Sequence, residues 1–135
     1  MNKGKVLAID YGTKRVGIAT GDLELKMAFP RTILNNKGNL FKDILNLVNE
    51  LDVKLIIVGL PLNMKDTHAE NPIMKDVLKL VDDIKSEGIK VETIDERLSS
   101  FEAKDLSVPT KKNTRHRLDA HAAQIILQRY FDNLV

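Results

Sequence analysis

The sequence of 135 residues contains no cysteine and no tryptophan, and aromatic residues make up only 4% of it. Without cysteine there is no disulfide framework, no thiolate nucleophile and no cysteine-ligated zinc. Long apolar runs are missing as well. The longest stretch free of formal charge, residues 55–64, is about half of the ~20 residues that a membrane-spanning helix needs. The opening MNKGKVLAID lacks the apolar region and small-residue cleavage site of a signal peptide. Neither sign of charge prevails: 21 Lys and Arg face 19 Asp and Glu, and a net +2 does not by itself mark a nucleic-acid binder. A soluble, cytoplasmic protein is expected. No repeat, Gly/Ser linker or break in composition divides the chain, so residues 1–135 read as a single domain. With 43% hydrophobic and 30% charged residues, it can bury a core without staples.

Residues 5–10 (KVLAID) and 15–20 (RVGIAT) are short apolar runs separated by Tyr11-Gly-Thr-Lys14, which predicts a β-hairpin. Residues 27–34 suit a third strand, which Pro30 would confine to an edge. Leu40, Ile44, Leu47, Val48 and Leu51 form the stripe of an amphipathic helix. Residues 55–58 (LIIV), ending at Gly59, read as a strand buried on both faces. A second helix carries Ile73, Val77, Leu80, Val81 and Ile84, with Asn71 as cap, Pro72 in its first turn and Gly88 beyond its end. Residues 90–95 (KVETID) are another strand. Ser99 and Glu102 have the spacing of a capping box, opening a short helix. Residues 108–116 read as a mobile basic loop and residues 117–133 as a last helix, with Leu118, Ala122, Ile125 and Ile126 on its buried face. The expected fold class is α/β: three layers around a mixed sheet, an antiparallel hairpin followed by parallel crossovers.

Most carboxylates belong to polar helix faces. Four do not. Asp10 ends an apolar strand, Asp95 and Glu96 end another, and Asp119 falls in the first turn expected of the last helix. Ligand sites of open α/β sheets form outside the carboxyl ends of strands. Carboxylates gathered there repel one another unless a cation neutralises them. Each alone also has a plain structural use, as a cap or an ion-pair partner. Together they suit a hard divalent ion, Mg²⁺ or Mn²⁺. The three histidines show no metal-ligand spacing. Gly12 permits close backbone approach, with Lys14 and Arg15 beside it as a phosphate would need, and Gly59 and Pro61 shape a rigid turn. From residue 97 to 117 six basic residues (Arg97, Lys104, Lys111, Lys112, Arg115 and Arg117) outnumber two acidic ones.

Four segments in this order resemble the YqgF/RuvX family: DYGTKRVG at 10–17, which ends on Gly17, VGLPLN at 58–63, DERLSS at 95–100 and DAHAAQIILQ at 119–128. The resemblance spans nearly the whole chain. It implies an RNase H-like fold and a nuclease to which maturation of the 5′ end of 16S rRNA is ascribed. An earlier description made the family a Holliday junction resolvase. The catalytic carboxylates it implies are Asp10, Glu96 and Asp119, with Asp95 as a further metal ligand. The expected partners are nucleic acid, as an rRNA precursor or branched DNA, and ribosomal particles, with no membrane; monomer and homodimer both stay open. Lys14, Arg15 and Arg97 would then contact phosphate, and Lys111, Lys112, Arg115 and Arg117 would guide the backbone. Two other classes stay open beside the nuclease. A kinase or actin-like ATPase shares an Asp-x-Gly-Thr loop but needs two such domains. A non-catalytic RNA-binding scaffold would need none of the carboxylates.

Overall fold

Strand β1 (Lys5–Asp10) and strand β2 (Arg15–Asp22) pair antiparallel in the order their hairpin demands, with Ile9 opposite Ile18 and Asp10 opposite Gly17. The computed structural model describes residues 4–60, 72–95 and 114–134, of which 95 and 114–119 are described by their backbone alone. Strand β3 (Met27–Asn35) continues the meander on the outside of β2 and is an edge, as Pro30 requires. Its register shifts at Arg31, which is skipped between the Ala19–Pro30 and Ile18–Thr32 pairs. A bulge beside a proline leaves this edge poorly suited to pairing with another chain.

Helix α1 (Leu40–Leu51) follows, then strand β4 (Val53–Leu60), which lies parallel to β1 on the side away from β2. Asp52 closes α1 in the left-handed region at φ 56°, its N–H donating to the Val48 carbonyl. Helix α2 (Pro72–Lys85) leads past Gly88, at φ 81°, into strand β5 (Lys90–Asp95), parallel to β4. Helix α3 (Thr114–Asp132) ends the described chain. Sheet order is β3-β2-β1-β4-β5, antiparallel in its first half and parallel in its second. Among the described residues, no helix is long and apolar enough to cross a membrane.

Both faces of the sheet are covered, which explains the unbroken apolar runs of β1 and β4. Leu7, Ile9, Val16, Ile18, Ile56 and Val58 pack on one face with Ile44 of α1 and Val77 and Ile84 of α2. Val6, Ala8, Ala19, Leu55 and Ile57 face Ala123, Ile126, Leu127 and Phe131 of α3. Each fully buried Ile or Leu contributes about 1.5–3 kcal/mol relative to exposure. On β1, β2 and β3 the residues beneath α3 include three alanines, Ala8, Ala19 and Ala28, and the larger Leu55 and Ile57 come from β4. Ala122 and Ile125 are buried too but form a separate pair, so α3 is covered on more than one side.

Two expectations need correction. Arg115 and His116 belong to α3, which starts at Thr114 rather than at residue 117. A basic run carries no helix stop, because arginine is a good helix former and histidine an ordinary one. Asp119 is consequently the sixth residue of the helix, in its second turn, too far inside to cap it. The cap assigned to Asn71 and the short helix from Ser99 lie outside the described residues, as do residues 108–113 of the basic loop.

Candidate active site

Asp10 is the last residue of β1 and is half-buried. Alternation along the strand puts it with Val6 and Ala8 on the face that α3 covers. Its partner on β2 is Gly17, and on β4 Gly59 follows the Ile9–Val58 pair and so stands at its level. Both neighbours of this carboxylate therefore lack a side chain. A Cβ on either of them would stand beside the Asp10 side chain on the same face of the sheet.

The loop after Asp10 is held tightly. Gly12 lies so close to the Arg15 carbonyl oxygen that an added Cβ would overlap it. Asn36, just past β3, donates through Nδ2 to the Gly12 carbonyl at 2.7 Å, and its N–H donates to the Lys14 carbonyl at 2.9 Å. Lys14 is exposed and Arg15 half-buried, both at the mouth of this loop. Gly12→Ala is expected to cost about 1–3 kcal/mol, because the obstacle is backbone and cannot rotate away. The loop must open to admit the methyl, and nuclease activity should fall roughly 10–100-fold as Asp10 shifts. Thermal melts and a cleavage assay read both effects; an unchanged melting temperature would show that the turn has slack.

Asp95 ends β5, paired with Leu60 one residue beyond the level of Gly59 and Asp10, two strands or about 10 Å from β1. The carboxyl ends of β1, β4 and β5 thus share one end of the sheet. Helix α3 runs back toward that same end. Its Phe131 packs on Gly21, which pairs with Val6 near the start of β1. The twelve residues from Phe131 back to Asp119 rise about 18 Å, against about 13 Å from Val6 to Asp10 along β1. The Asp119 backbone therefore lies in the layer that covers Asp10's face of the sheet, toward the end where β1 finishes.

Glu96, Arg97, Pro61, Lys111 and Lys112 lie outside the described residues, and Arg115 and Arg117 are placed only as backbone in the first turn of α3. Among the described residues, no three His, Asp or Glu side chains form a metal-binding group. His121 is half-buried and its Nδ1 is 3.0 Å from Gln124 Oε1. Because the Gln124 amide nitrogen donates to the Ala28 carbonyl, its oxygen faces the ring, and Nδ1 is the donor. Burial, then the charge and hydrogen bond of Glu92, hold the Tyr130 phenol above its usual 10.0. Sequence reading missed Asn36, Gln124 and Gln128. The backbone groups their side chains bond are 24 to 102 residues away, and no local pattern announces them.

The RuvX family, described as "Holliday junction resolvase", matches residues 4–133. A protein of Cupriavidus necator named "Putative pre-16S rRNA nuclease" is 38% identical over 133 residues, covering 96% of this chain and 89% of that protein. One of the same name from Endomicrobium trichonymphae is 36% identical, covering 95% of each. Among solved structures, T. thermophilus RuvC in complex with a Holliday junction substrate aligns at a TM-score of 0.61 and 16% identity, over 95% of this chain and 93% of that one. T. thermophilus RuvC in a second structure gives 0.56 at 13% identity, over 94% and 93%. At such identities the likeness establishes the fold, the RNase H-like arrangement of RuvC. A family match over nearly the whole length, with relatives more than a third identical along it, makes this chain a member of the RuvX family.

Proposed function

We propose that this protein is a metal-dependent nuclease that hydrolyses phosphodiester bonds in the precursor of 16S rRNA, a step of ribosome biogenesis in the cytoplasm. The observation that carries the reading is the position of Asp10: a strand-end carboxylate between Gly17 and Gly59, at the end of the sheet where β5 and the start of α3 also arrive. The names of the relatives supply the substrate class.

In this reading Asp10, Glu96 and Asp119 hold Mg²⁺ or Mn²⁺, and Asp95 is a further ligand or orients one. The donor set fits such ions: it is all oxygen, and Gly17 and Gly59 put no side chain beside Asp10. When bound, the cation offers Lewis-acid stabilisation of phosphate charge and activation of the attacking water. The chain's own residues do the rest. Lys14 and Arg15, at the mouth of the Gly12 loop, and Arg97 draw the phosphate toward Asp10. Lys111, Lys112, Arg115 and Arg117 track the flanking backbone, contacts that position the strand without reading its sequence. No protein nucleophile is needed, in keeping with a chain without cysteine.

Paired assays test this. A 16S precursor leader and a four-way DNA junction are offered to the enzyme under titrated Mn²⁺ and Mg²⁺. The leader is expected to be cut, the rate to fall to background in EDTA, and Mn²⁺ to restore it. Cleavage that survives chelation would remove the metal. Cleavage of the junction alone would favour the resolvase reading, which the family description and the RuvC complex support.

A further inference from the structure

Helix α3 and the edge strand β3 are joined by side-chain-to-backbone bonds that the nuclease reading does not use. Gln128 Oε1 accepts from the Ala28 N–H at 3.0 Å, and its Nε2 donates to the Lys26 carbonyl at 2.9 Å. Gln124 Nε2 donates to the Ala28 carbonyl at 3.0 Å. The two amides, one helical turn apart, meet backbone groups of Ala28 near the start of β3 and of Lys26 in the turn before it. Each amide has one self-consistent orientation: reversing Gln128 would set its amino group against the Ala28 N–H and its oxygen against the Lys26 carbonyl.

These bonds restrain what the apolar contact under α3 does not. Alanines form much of the surface there, Ala8, Ala19 and Ala28, and hydrophobic attraction is not directional. A helix on such a surface can slide or roll by an ångström at small cost. Three hydrogen bonds to fixed backbone atoms set both its height and its rotation. Asp119 lies five and nine residues before the two glutamines on the same rigid rod, about 7.5 and 13.5 Å along its axis.

We propose that Gln124 and Gln128 are positioning residues for the metal site: by gripping Ala28 of β3 and Lys26 in the turn before it they fix where Asp119 stands relative to Asp10. The inference rests on the metal-site reading above. It makes the edge strand, far from the reacting atoms in sequence, part of what tunes cation affinity. The same grip covers the Ala28 portion of an edge that Pro30 blunts further along.

The test uses methionine, which keeps the length and volume of glutamine and removes its hydrogen bonds. Mn²⁺ binding to the full chain is measured by calorimetry or electron paramagnetic resonance for wild type, Asp10→Asn and the double variant Gln124→Met/Gln128→Met, alongside metal-free melting temperatures. Binding by the double variant should weaken about 10–100-fold, the usual effect of losing a group that orients a ligand. Binding is read well below the melting transition, so a merely structural loss would leave it unchanged. Saturating Mn²⁺ should restore most of the cleavage rate, which separates a positioning role from a catalytic one. Should the double variant fail to fold, the single variants are read the same way. Wild-type binding that Asp10→Asn abolishes and the glutamine variants leave within twofold would overturn this inference alone. No Mn²⁺ binding by the wild type would overturn the metal reading and this inference with it.

Discussion

Asp10→Asn should reduce phosphodiester cleavage by at least ~10³-fold at saturating Mn²⁺, because stabilisation of transition-state charge by a metal is worth several kcal/mol and each 1.36 kcal/mol is tenfold in rate. The substitution keeps the shape of the side chain, so the fit between Gly17 and Gly59 is preserved and only the charge is lost. An amide oxygen is a far poorer ligand for a hard dication than a carboxylate. Metal-free stability should be level or slightly raised, since one member of a group of like charges is removed. The two readouts belong together. A dead enzyme with an intact melting curve assigns the loss to chemistry, whereas a parallel fall in both would make Asp10 a structural residue. Cleavage within a factor of ten of wild type would move the metal site away from the end of β1.

Much of this architecture is legible in the sequence because it is local. The Tyr11–Lys14 turn, the stripe from Leu40 to Leu51, the placement of Pro30 on an edge and the glycine beyond α2 each follow from spacing and backbone preference. Strand ends were less legible. Residues 15–20 are the apolar part of β2, yet the strand runs on through Gly21 and Asp22, because the ladder to Val6 and Lys5 is made by backbone and does not consult side chains. The start of α3 was hidden for a similar reason: Thr114 to Arg117 are polar residues without a break, and charge pattern alone does not separate a loop from a helix turn.

The candidate site divides in the same way. Asp10 stands out because a carboxylate at the end of an apolar strand is conspicuous. Its flanking by Gly17 and Gly59 is invisible until β1 is registered between β2 and β4, strands that pair in opposite senses. A Gly-x₄₁-Gly spacing has no local meaning, and the sheet gives it one. The grip of Gln124 and Gln128 is equally non-local: its backbone partners lie 96 to 102 residues away, and no pattern within the helix points to them.

Phe131→Ala is expected to destabilise the fold by about 3–5 kcal/mol, the range for truncating a core aromatic. The ring is 1% exposed and is the largest side chain of the cluster beneath α3. Its edge lies against Gly21, where a Cβ would come within 2.7 Å of Cε2 and 3.0 Å of Cζ. Gly21 has no side chain with which to fill the vacated space. The alanines of the same cluster, Ala8, Ala19, Ala28 and Ala123, have no rotamers with which to fill it. The cavity therefore persists, and its cost adds to the lost transfer energy. For a domain of this size the melting temperature should fall by roughly 10–20 °C. Activity per folded molecule, measured well below the transition, should be nearly retained, because the ring sits at the opposite end of α3 from Asp119 while Gln124 and Gln128 still hold the helix to β3. A loss below ~1.5 kcal/mol would mean that α3 settles into the gap. That settling would drag Asp119 along the sheet, and it would show as a fall in Mn²⁺ affinity at unchanged fold.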